Sequence, residues 1–111
     1  MLDLTAAFSE LYQVRLFDGT ELNLSRPTQA LQESIMRLQE MGNDAKNSSK
    51  IMKETMAIFC RVLNRNTQGI TFTQEQIEDD YDYSVALLVI GDYLQFYAKE
   101  VAAKVSFRTT Q

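Results

Sequence analysis

Apolar and polar residues alternate along residues 12–24, YQVRLFDGTELNL, on both sides of an Asp18-Gly19 step. Alternation with a period of two is typical of β-strands that bury one face, and an Asp-Gly step favours a tight turn. The pattern therefore predicts a β-hairpin in front of a chain whose other apolar residues follow a helical period.

The length of the hairpin loop determines which residues face each other. A two-residue loop would place the apolar residues of the two strands on opposite faces, which contradicts the alternation. A three-residue loop from Phe17 to Gly19, with Gly19 in the left-handed region, places them on one face. The pairs that we predict are Leu16 with Thr20, Val14 with Leu22 and Tyr12 with Leu24.

An isolated hairpin is marginally stable in water, so we expect helices or another chain to cover it. Its outer edges are places where a partner strand could be added.

The region after the hairpin predicts two helices separated by a polar loop. Ser25 is suited to cap the first helix, because Pro27 is tolerated only in a first turn, and Gly42 is suited to end it. The second helix should begin at residue 48 or 49, after the loop GNDAKNSS. The apolar stripe of the first helix is Leu31, Ile35 and Leu38, and that of the second is Met52, Met56, Phe59 and Leu63, widened by Ile51, Ile58 and Val62. The wide stripe predicts that two sides of the second helix are covered.

Two further helices are predicted towards the C-terminus. Thr73 and Gln76 have the spacing of a capping box, which predicts a short acidic helix ending near residue 80. Asp82 or Ser84 can cap a last helix that runs to about residue 105. The first part of this helix, VALLVI, is apolar all round, so we expect it to be the central element of the core.

Together these elements predict an α+β fold that is mainly α. An N-terminal β-hairpin at residues 12–24 is followed by a compact bundle of three to four helices at residues 25–105. The length of 111 residues and the 45% hydrophobic content favour a single domain over residues 1–111. The start MLDLTAAFSEL has no basic region and no long apolar stretch, and VALLVI is too short to cross a bilayer. We therefore expect a cytoplasmic protein that does not bind membranes.

Several classes of function are disfavoured by what the sequence lacks. It contains no histidine, the commonest general base and metal ligand, and no glycine-rich loop of the kind that binds phosphate. We therefore expect no enzyme, no catalytic residue, no metal and no cofactor. The net charge of −4 disfavours a nucleic-acid partner, which leaves protein partners as the better expectation. Cys60 has no second cysteine to pair with, so we interpret it as a buried small hydrophobic residue.

Charge is distributed unevenly along the chain. Basic residues lie in and before the second predicted helix, whereas the short acidic helix carries carboxylates. The basic residues in question are Lys46, Lys50 and Lys53, and the carboxylates are those of Glu75, Glu78 and Asp79. Two copies could meet basic face to acidic face in a head-to-tail contact, which would make a homo-oligomer. The alternative is pairing within one chain, or no pairing. The carboxylates at residues 75–82 lack the spacing of an EF-hand, so we interpret them as a solvated helix start rather than a cation site.

Three groups of residues are candidates for binding a partner. Methionine-rich surfaces adapt to variable partners, although methionines also fill cores. Tyrosines that share a helix face suit either the edge of a core or an interface. The candidates are Val14, Leu16, Leu22 and Leu24 in the hairpin, Met36, Met41, Met52 and Met56 in the first two predicted helices, and Tyr93 and Tyr97 in the last.

The order and composition of these elements resemble a known family. The segment VRLFDGTELNLSRP contains two strands around an Asp-Gly turn, and helices, LNRN, a loop and the capped acidic helix FTQEQIEDDY follow it. Over about residues 12–105 this arrangement resembles the tail assembly chaperones of long-tailed, siphovirus-like bacteriophages. That family is divergent and has neither an invariant motif nor catalytic residues, so the candidates above come from the residues of this chain alone.

The resemblance implies a function in the morphogenesis of phage tails. Such a chaperone binds the long, helical tape measure protein, keeps it soluble and helps to recruit tail tube subunits that polymerise around it. The implied location is the host cytoplasm, and such proteins are absent from the mature virion. Three alternatives stay open: a structural head-tail connector or tail completion protein, a small acidic regulatory protein that binds one host protein, and an enzyme that uses carboxylates and tyrosines alone.

Overall fold

A β-hairpin and four helices follow a short N-terminal helix in the computed structural model, which describes residues 1–41 and 48–109, with side chains as far as residue 99. In chain order the elements are α1 (Leu4–Ala7), β1 (Tyr12–Arg15), β2 (Glu21–Leu24), α2 (Gln29–Met41), α3 (Ser48–Leu63), α4 (Gln74–Asp80) and α5 (Tyr83–Thr109). This order confirms the predicted α+β, mainly α fold. The predicted helix end at Gly42 and the loop at residues 42–47 lie outside the described residues, and α5 extends past its predicted end near residue 105.

The hairpin has the register that the alternation of its residues predicts. Its strands are antiparallel, and the facing pairs include Val14 with Leu22 and Tyr12 with Leu24. The Leu16 N–H donates to the Thr20 carbonyl at 2.8 Å, so Phe17, Asp18 and Gly19 form a three-residue loop. Gly19 has a φ of 90°, in the left-handed region. The three-residue loop is therefore confirmed, and it directs the apolar residues of both strands to one face.

Helix α2 begins later than predicted. The Thr28 hydroxyl accepts the Leu31 N–H at 3.2 Å, which makes Thr28 the cap of a helix that starts at Gln29. The prediction of Ser25 as the cap was wrong. The Ser25 N–H instead donates to the Arg65 carbonyl at 2.9 Å, which extends the backbone pairing of β2 past its last residue. A long-range backbone contact has here overridden a local capping preference.

The caps of the last two helices agree with the prediction. The Thr73 side chain accepts the Gln76 N–H at 3.2 Å at the start of α4, and α4 ends at Asp80. The Asp82 carboxylate accepts the Val85 N–H at 3.0 Å and starts α5. Both caps supply an acceptor to a backbone donor that the first turn of a helix leaves unpaired.

Helix α3 lies at the centre of the core and packs against α2, α4, α5 and β2. Its buried residues are Ile51, Thr55, Met56, Ile58, Phe59, Cys60, Val62 and Leu63. Burial on more than one face confirms the predicted two-sided coverage of this helix. The polar member of the set, Thr55, donates its hydroxyl to the Ile51 carbonyl at 2.7 Å, so no donor is buried without an acceptor there.

The expectation that the last helix is the central element was wrong. Helix α5 packs against α3 and β1, but Leu87 and Leu88 of its apolar start are 45% and 72% exposed. The run VALLVI surrounds the helix with apolar side chains, whereas the neighbouring elements cover only part of its circumference. Local hydrophobicity therefore overestimates how deeply this helix is buried.

Replacing Gly19 with alanine is expected to lower the free energy of unfolding by roughly 1–2 kcal/mol, because a residue with a Cβ is strained in the left-handed region. Apart from its two chain neighbours, no described residue has an atom within 4 Å of an added Cβ, so the effect comes from the backbone. Gly91 is the matched control, since it also has open space but lies inside α5. Gly91→Ala should raise stability by up to about 1 kcal/mol. Urea unfolding measures both variants, and unchanged stability of Gly19→Ala would contradict the left-handed loop.

Candidate functional site

Two tyrosines of α5 fix the hairpin to the helices of the same chain. The Tyr97 hydroxyl donates to the Leu24 carbonyl at 2.6 Å and accepts the Tyr12 N–H at 3.2 Å. The Tyr93 hydroxyl donates to the Ser25 carbonyl at 2.6 Å. These contacts, with hydrophobic packing, place the hairpin on its own core rather than on that of a neighbouring subunit.

The aromatic rings of Tyr12, Tyr93 and Tyr97, which we call the tyrosine cluster, pack edge to face. The Tyr12 and Tyr93 rings lie 5.7 Å apart, and the Tyr93 and Tyr97 rings lie 5.3 Å apart. This geometry places the positive edge of one ring against the negative face of the next. All three residues are buried, and their hydroxyls carry the polar connections between β1, β2 and α5.

Burial raises the pKa of Tyr12, and a hydrogen bond to Asp92 and the charge of that carboxylate raise it further. The Tyr12 hydroxyl donates to Asp92 Oδ2 at 2.6 Å. Burial is also the main cause of the raised pKa of Tyr93, to which Tyr97 adds. Both phenols are therefore held neutral, and each acts as a hydrogen-bond donor rather than as a base.

The outer edge of β2 is covered by the loop that follows α3. Asn66 forms an antiparallel bridge with Leu24, and the Thr67 N–H donates to the Asn23 carbonyl at 2.9 Å. The Gln68 side chain accepts the Asn23 N–H at 3.2 Å. One of the two edges that we predicted to be open to an added strand is thus largely occupied by the chain itself.

The outer edge of β1 is open. Hydrogen bonds alternate along an antiparallel pair, and Leu16 bonds towards β2, so the N–H and C=O groups of Gln13 and Arg15 point away from it. In the described part of the chain no hydrogen bond reaches these four backbone groups. They form a short template on which an extended segment could be paired.

An apolar groove runs beside this open edge, between β1 and the start of α5. Its volume is about 430 Å³, and it is lined by Tyr12, Val14, Arg15, Leu16, Phe17, Phe59, Tyr81, Val85, Leu88, Val89 and Asp92. The lining takes residues from both faces of β1 and none from β2, which places the groove along the β1 edge. Phe17, 79% exposed, stacks on Tyr81 with ring centroids 5.8 Å apart. We call this feature the β1 groove.

Three carboxylates lie in or next to the lining of the β1 groove. Asp92 lies in its lining, and the charges of Asp18 and Asp80 add to burial in raising the pKa of Tyr81. The Thr20 N–H, which donates to Asp18 at 2.9 Å, lowers the pKa of that carboxyl, so Asp18 stays ionised. Arg15, the basic residue in the lining, is paired with Glu21 at 2.6 Å. The β1 groove therefore has an apolar floor and an acidic rim.

The predicted partner-binding residues divide into three groups in the structure. Six are buried in the core: Leu16, Leu22, Leu24, Met56, Tyr93 and Tyr97. Two are half-buried, Val14 and Met41, and two are exposed, Met36 and Met52, at 60% and 48%. In this conformation the six buried residues offer little or no surface to a partner. Contact with a partner therefore stays a prediction for the two half-buried and the two exposed residues. Val14 and Leu16 do line the β1 groove.

The most exposed apolar lining residues of the β1 groove, Phe17 and Leu88, were not among the predicted site residues. Each carries a signal in the sequence: Phe17 is a large apolar residue in a turn, and Leu88 belongs to the run that is apolar all round. What the sequence does not give is their proximity, because they lie in different elements that the tertiary fold brings together.

The predicted charge pairs lie partly within one chain. Lys53 Nζ is 3.7 Å from Glu78 Oε1, which joins α3 to α4 at the surface. Lys50, Glu75 and Asp79 are exposed, and Lys46 lies outside the described residues. Lys53 and Glu78 thus pair within one chain, which was the alternative to a contact between subunits. For the remaining residues of the two charged sets, a contact between subunits is a proposal.

Among the described residues, no three cysteine, aspartate or glutamate side chains converge as a metal site would require. Cys60 is buried, as interpreted from the sequence; its thiol donates to the Phe72 carbonyl at 3.3 Å, and burial raises its pKa. None of the helices that the structure describes is long and apolar enough to span a membrane.

No protein-family model matches this chain, and no curated protein or solved structure shows significant similarity to it.

The raised pKa values of Tyr12 and Tyr93 predict that the protein loses stability in alkali. Each phenol has a folded pKa above its ordinary value of 10.0, so its contribution is complete below pH 10 and declines as the pH rises beyond it. Tyr93→Phe removes one of the phenols whose pKa is raised and should make this decline shallower. Urea unfolding at pH 8 to 11 measures the slope.

The control for this experiment is Tyr83→Phe, because Tyr83 is only half-buried and no hydrogen bond from its hydroxyl is found among the described residues. This variant should keep the slope of the wild-type protein, while Tyr93→Phe also loses about 1 kcal/mol at neutral pH with its bond to the Ser25 carbonyl. An unchanged slope in Tyr93→Phe would show that the buried phenol does not resist ionisation.

Proposed function

We propose that this chain is a phage tail assembly chaperone that binds the tape measure protein, keeps it soluble and helps to recruit tail tube subunits. The observation that best supports this proposal is that large apolar side chains remain at the surface of three helices. These are Met36 on α2, Met52 on α3, and Leu87 and Leu88 on α5. In the proposal this surface covers apolar faces of the partner, within the host cytoplasm, and the protein is absent from the mature virion.

The proposed mechanism follows from the chemistry of these side chains. A long helical tape measure protein repeats apolar faces that would otherwise associate with one another. Flexible methionine side chains can adjust to faces of different shape, which suits a partner with many similar but unequal sites. Each contact is small, so many copies along one partner provide the total affinity. Individual copies can then leave as tube subunits arrive.

Coexpression of this protein with the tape measure protein encoded in the same genome tests the proposal. The wild-type chain should keep the tape measure protein in the soluble fraction, and purified virions should lack the chain. The double variant Met36→Gln and Met52→Gln should rescue several-fold less, because it makes two of the four exposed side chains polar. Gln39→Ala, an exposed change on α2, is the matched control and should rescue as the wild type does.

Two outcomes would overturn the proposal in favour of the alternatives. Retention of the chain in virions at a fixed copy number would indicate a structural head-tail connector or tail completion protein. Absence of rescue together with one tightly bound host protein at fixed stoichiometry would indicate an acidic regulatory protein. Equal rescue by the double methionine variant would assign the contact to another surface.

We also propose that copies of the chain associate through Lys50 on one subunit and Glu75 or Asp79 on the next, all of which are exposed. Such a contact weakens as salt rises, because exposed charges are screened. Sedimentation should show association at low ionic strength that Lys50→Glu weakens and that adding Glu75→Lys restores. A chain that sediments as a monomer at every salt concentration would refute this contact.

A further inference from the structure

We propose that the β1 groove binds an extended segment of another protein, which adds to β1 as a third strand and carries alternating apolar residues with basic residues at its ends. The proposal concerns the sheet edge and the groove beside it, not the exposed methionines of α2 and α3. Leu88 is the one side chain that supports both proposals, and because the peptide titration and the coexpression experiment have different readouts, each proposal can fail without the other.

The backbone of β1 supplies the hydrogen bonds for such a strand. The outward N–H and C=O groups of Gln13 and Arg15 have the spacing of alternate residues in an antiparallel ladder. An added strand would satisfy these four groups, which have no protein partner among the described residues. On the edge of β2, Thr67 and Gln68 already occupy the outward groups of Asn23, which leaves those of Glu21 open among the described residues. An added strand therefore finds two residues to pair with on β1 and one on β2.

The groove supplies the pockets for the side chains. Alternate residues of an added strand point to one face of the sheet, as Tyr12, Val14 and Leu16 do in β1. On that face the space beside β1 is bounded by Val85, Leu88 and Val89 of α5 and by Tyr81. Apolar residues at alternate positions would cover Phe17 and Leu88, the two most exposed apolar side chains of the lining. Main-chain pairing with side-chain pockets is how strand addition combines affinity with selectivity.

The charges around the groove identify which kind of strand fits. Asp92 lies in its lining, Asp18 and Asp80 directly adjoin the lining residues Phe17 and Tyr81 along the chain, and Arg15 is already paired with Glu21. Lysine or arginine at the ends of the added segment would complement this rim. A second copy of the chain is a poorer occupant, since antiparallel pairing of two β1 strands would bring two acidic rims together on molecules that each carry a net charge of −4.

The test uses a short synthetic peptide that alternates valine with threonine and has lysines at both ends. Titration into the isotope-labelled full chain, followed by amide NMR, should shift the Gln13 and Arg15 amides and slow their hydrogen exchange. The same peptide with N-methylated backbone positions keeps its side chains but loses its donors, and should bind about tenfold more weakly. A peptide with glutamates in place of the lysines should also bind more weakly.

Two pairs of variants locate the site on the protein. Gln13→Pro removes an outward N–H without removing a bond to β2, since proline is tolerated at an edge position of this kind, and Gln13→Thr is its control. Leu88→Gln makes the groove polar, and Gln95→Ala, an exposed change on α5 outside the lining, is its control. Gln13→Pro and Leu88→Gln should each weaken binding about tenfold, whereas the controls should bind as the wild type does.

Three results would overturn the proposal. One is a peptide that causes no shift at Gln13 and Arg15 at millimolar concentration. Another is equal peptide binding by Leu88→Gln and the wild type. This comparison does not depend on how well the proline variant folds. The third is concentration-dependent dimerisation of the peptide-free chain that protects the Gln13 and Arg15 amides, which would assign the edge to a second copy.

Discussion

The position of the hairpin depends on two tyrosine hydroxyls of α5 that bond to its backbone. A two-stranded hairpin of four-residue strands is not stable alone, so it must be held by the rest of the chain. Tyr97 reaches both strands, through the Leu24 carbonyl and the Tyr12 N–H, and Tyr93 holds the residue after β2. Because these bonds fix β1 against α5, they also determine the width and the lining of the β1 groove. The shape of the β1 groove is thus a consequence of how the hairpin is anchored.

The features that sequence predicted well are those that local interactions determine. The register of the hairpin follows from the alternation of Val14, Leu16 and Leu22 and from the left-handed tolerance of Gly19. The caps at Thr73 and Asp82 were likewise predictable from the few residues around them. Ser25 shows the limit, since its local preference to cap a helix lost to a bond with Arg65, far along the chain. No pattern around Ser25 carries that information.

The candidate site was less predictable than the fold, for a physical reason. Sequence periodicity tells which face of an element is apolar but not how much of that face its neighbours cover. Tyr93 and Tyr97 therefore suited either core or interface, and the structure places them in the core. Leu88 had the same ambiguity and lies at the surface. Surfaces formed by the ends of several elements, as the β1 groove is, depend on tertiary packing that no single segment specifies.

The loop that follows α3 covers most of the β2 edge, so β1 is the main edge of the hairpin that is free to pair with another strand. A sheet with two free edges can join a strand on each side, and such bridging leads to ladders that grow without limit. Here Thr67 and Gln68 already pair with the outward groups of Asn23, so the β2 edge offers a further strand only the groups of Glu21. If the proposed strand adds at β1, the molecule therefore favours ending a sheet over linking two strands.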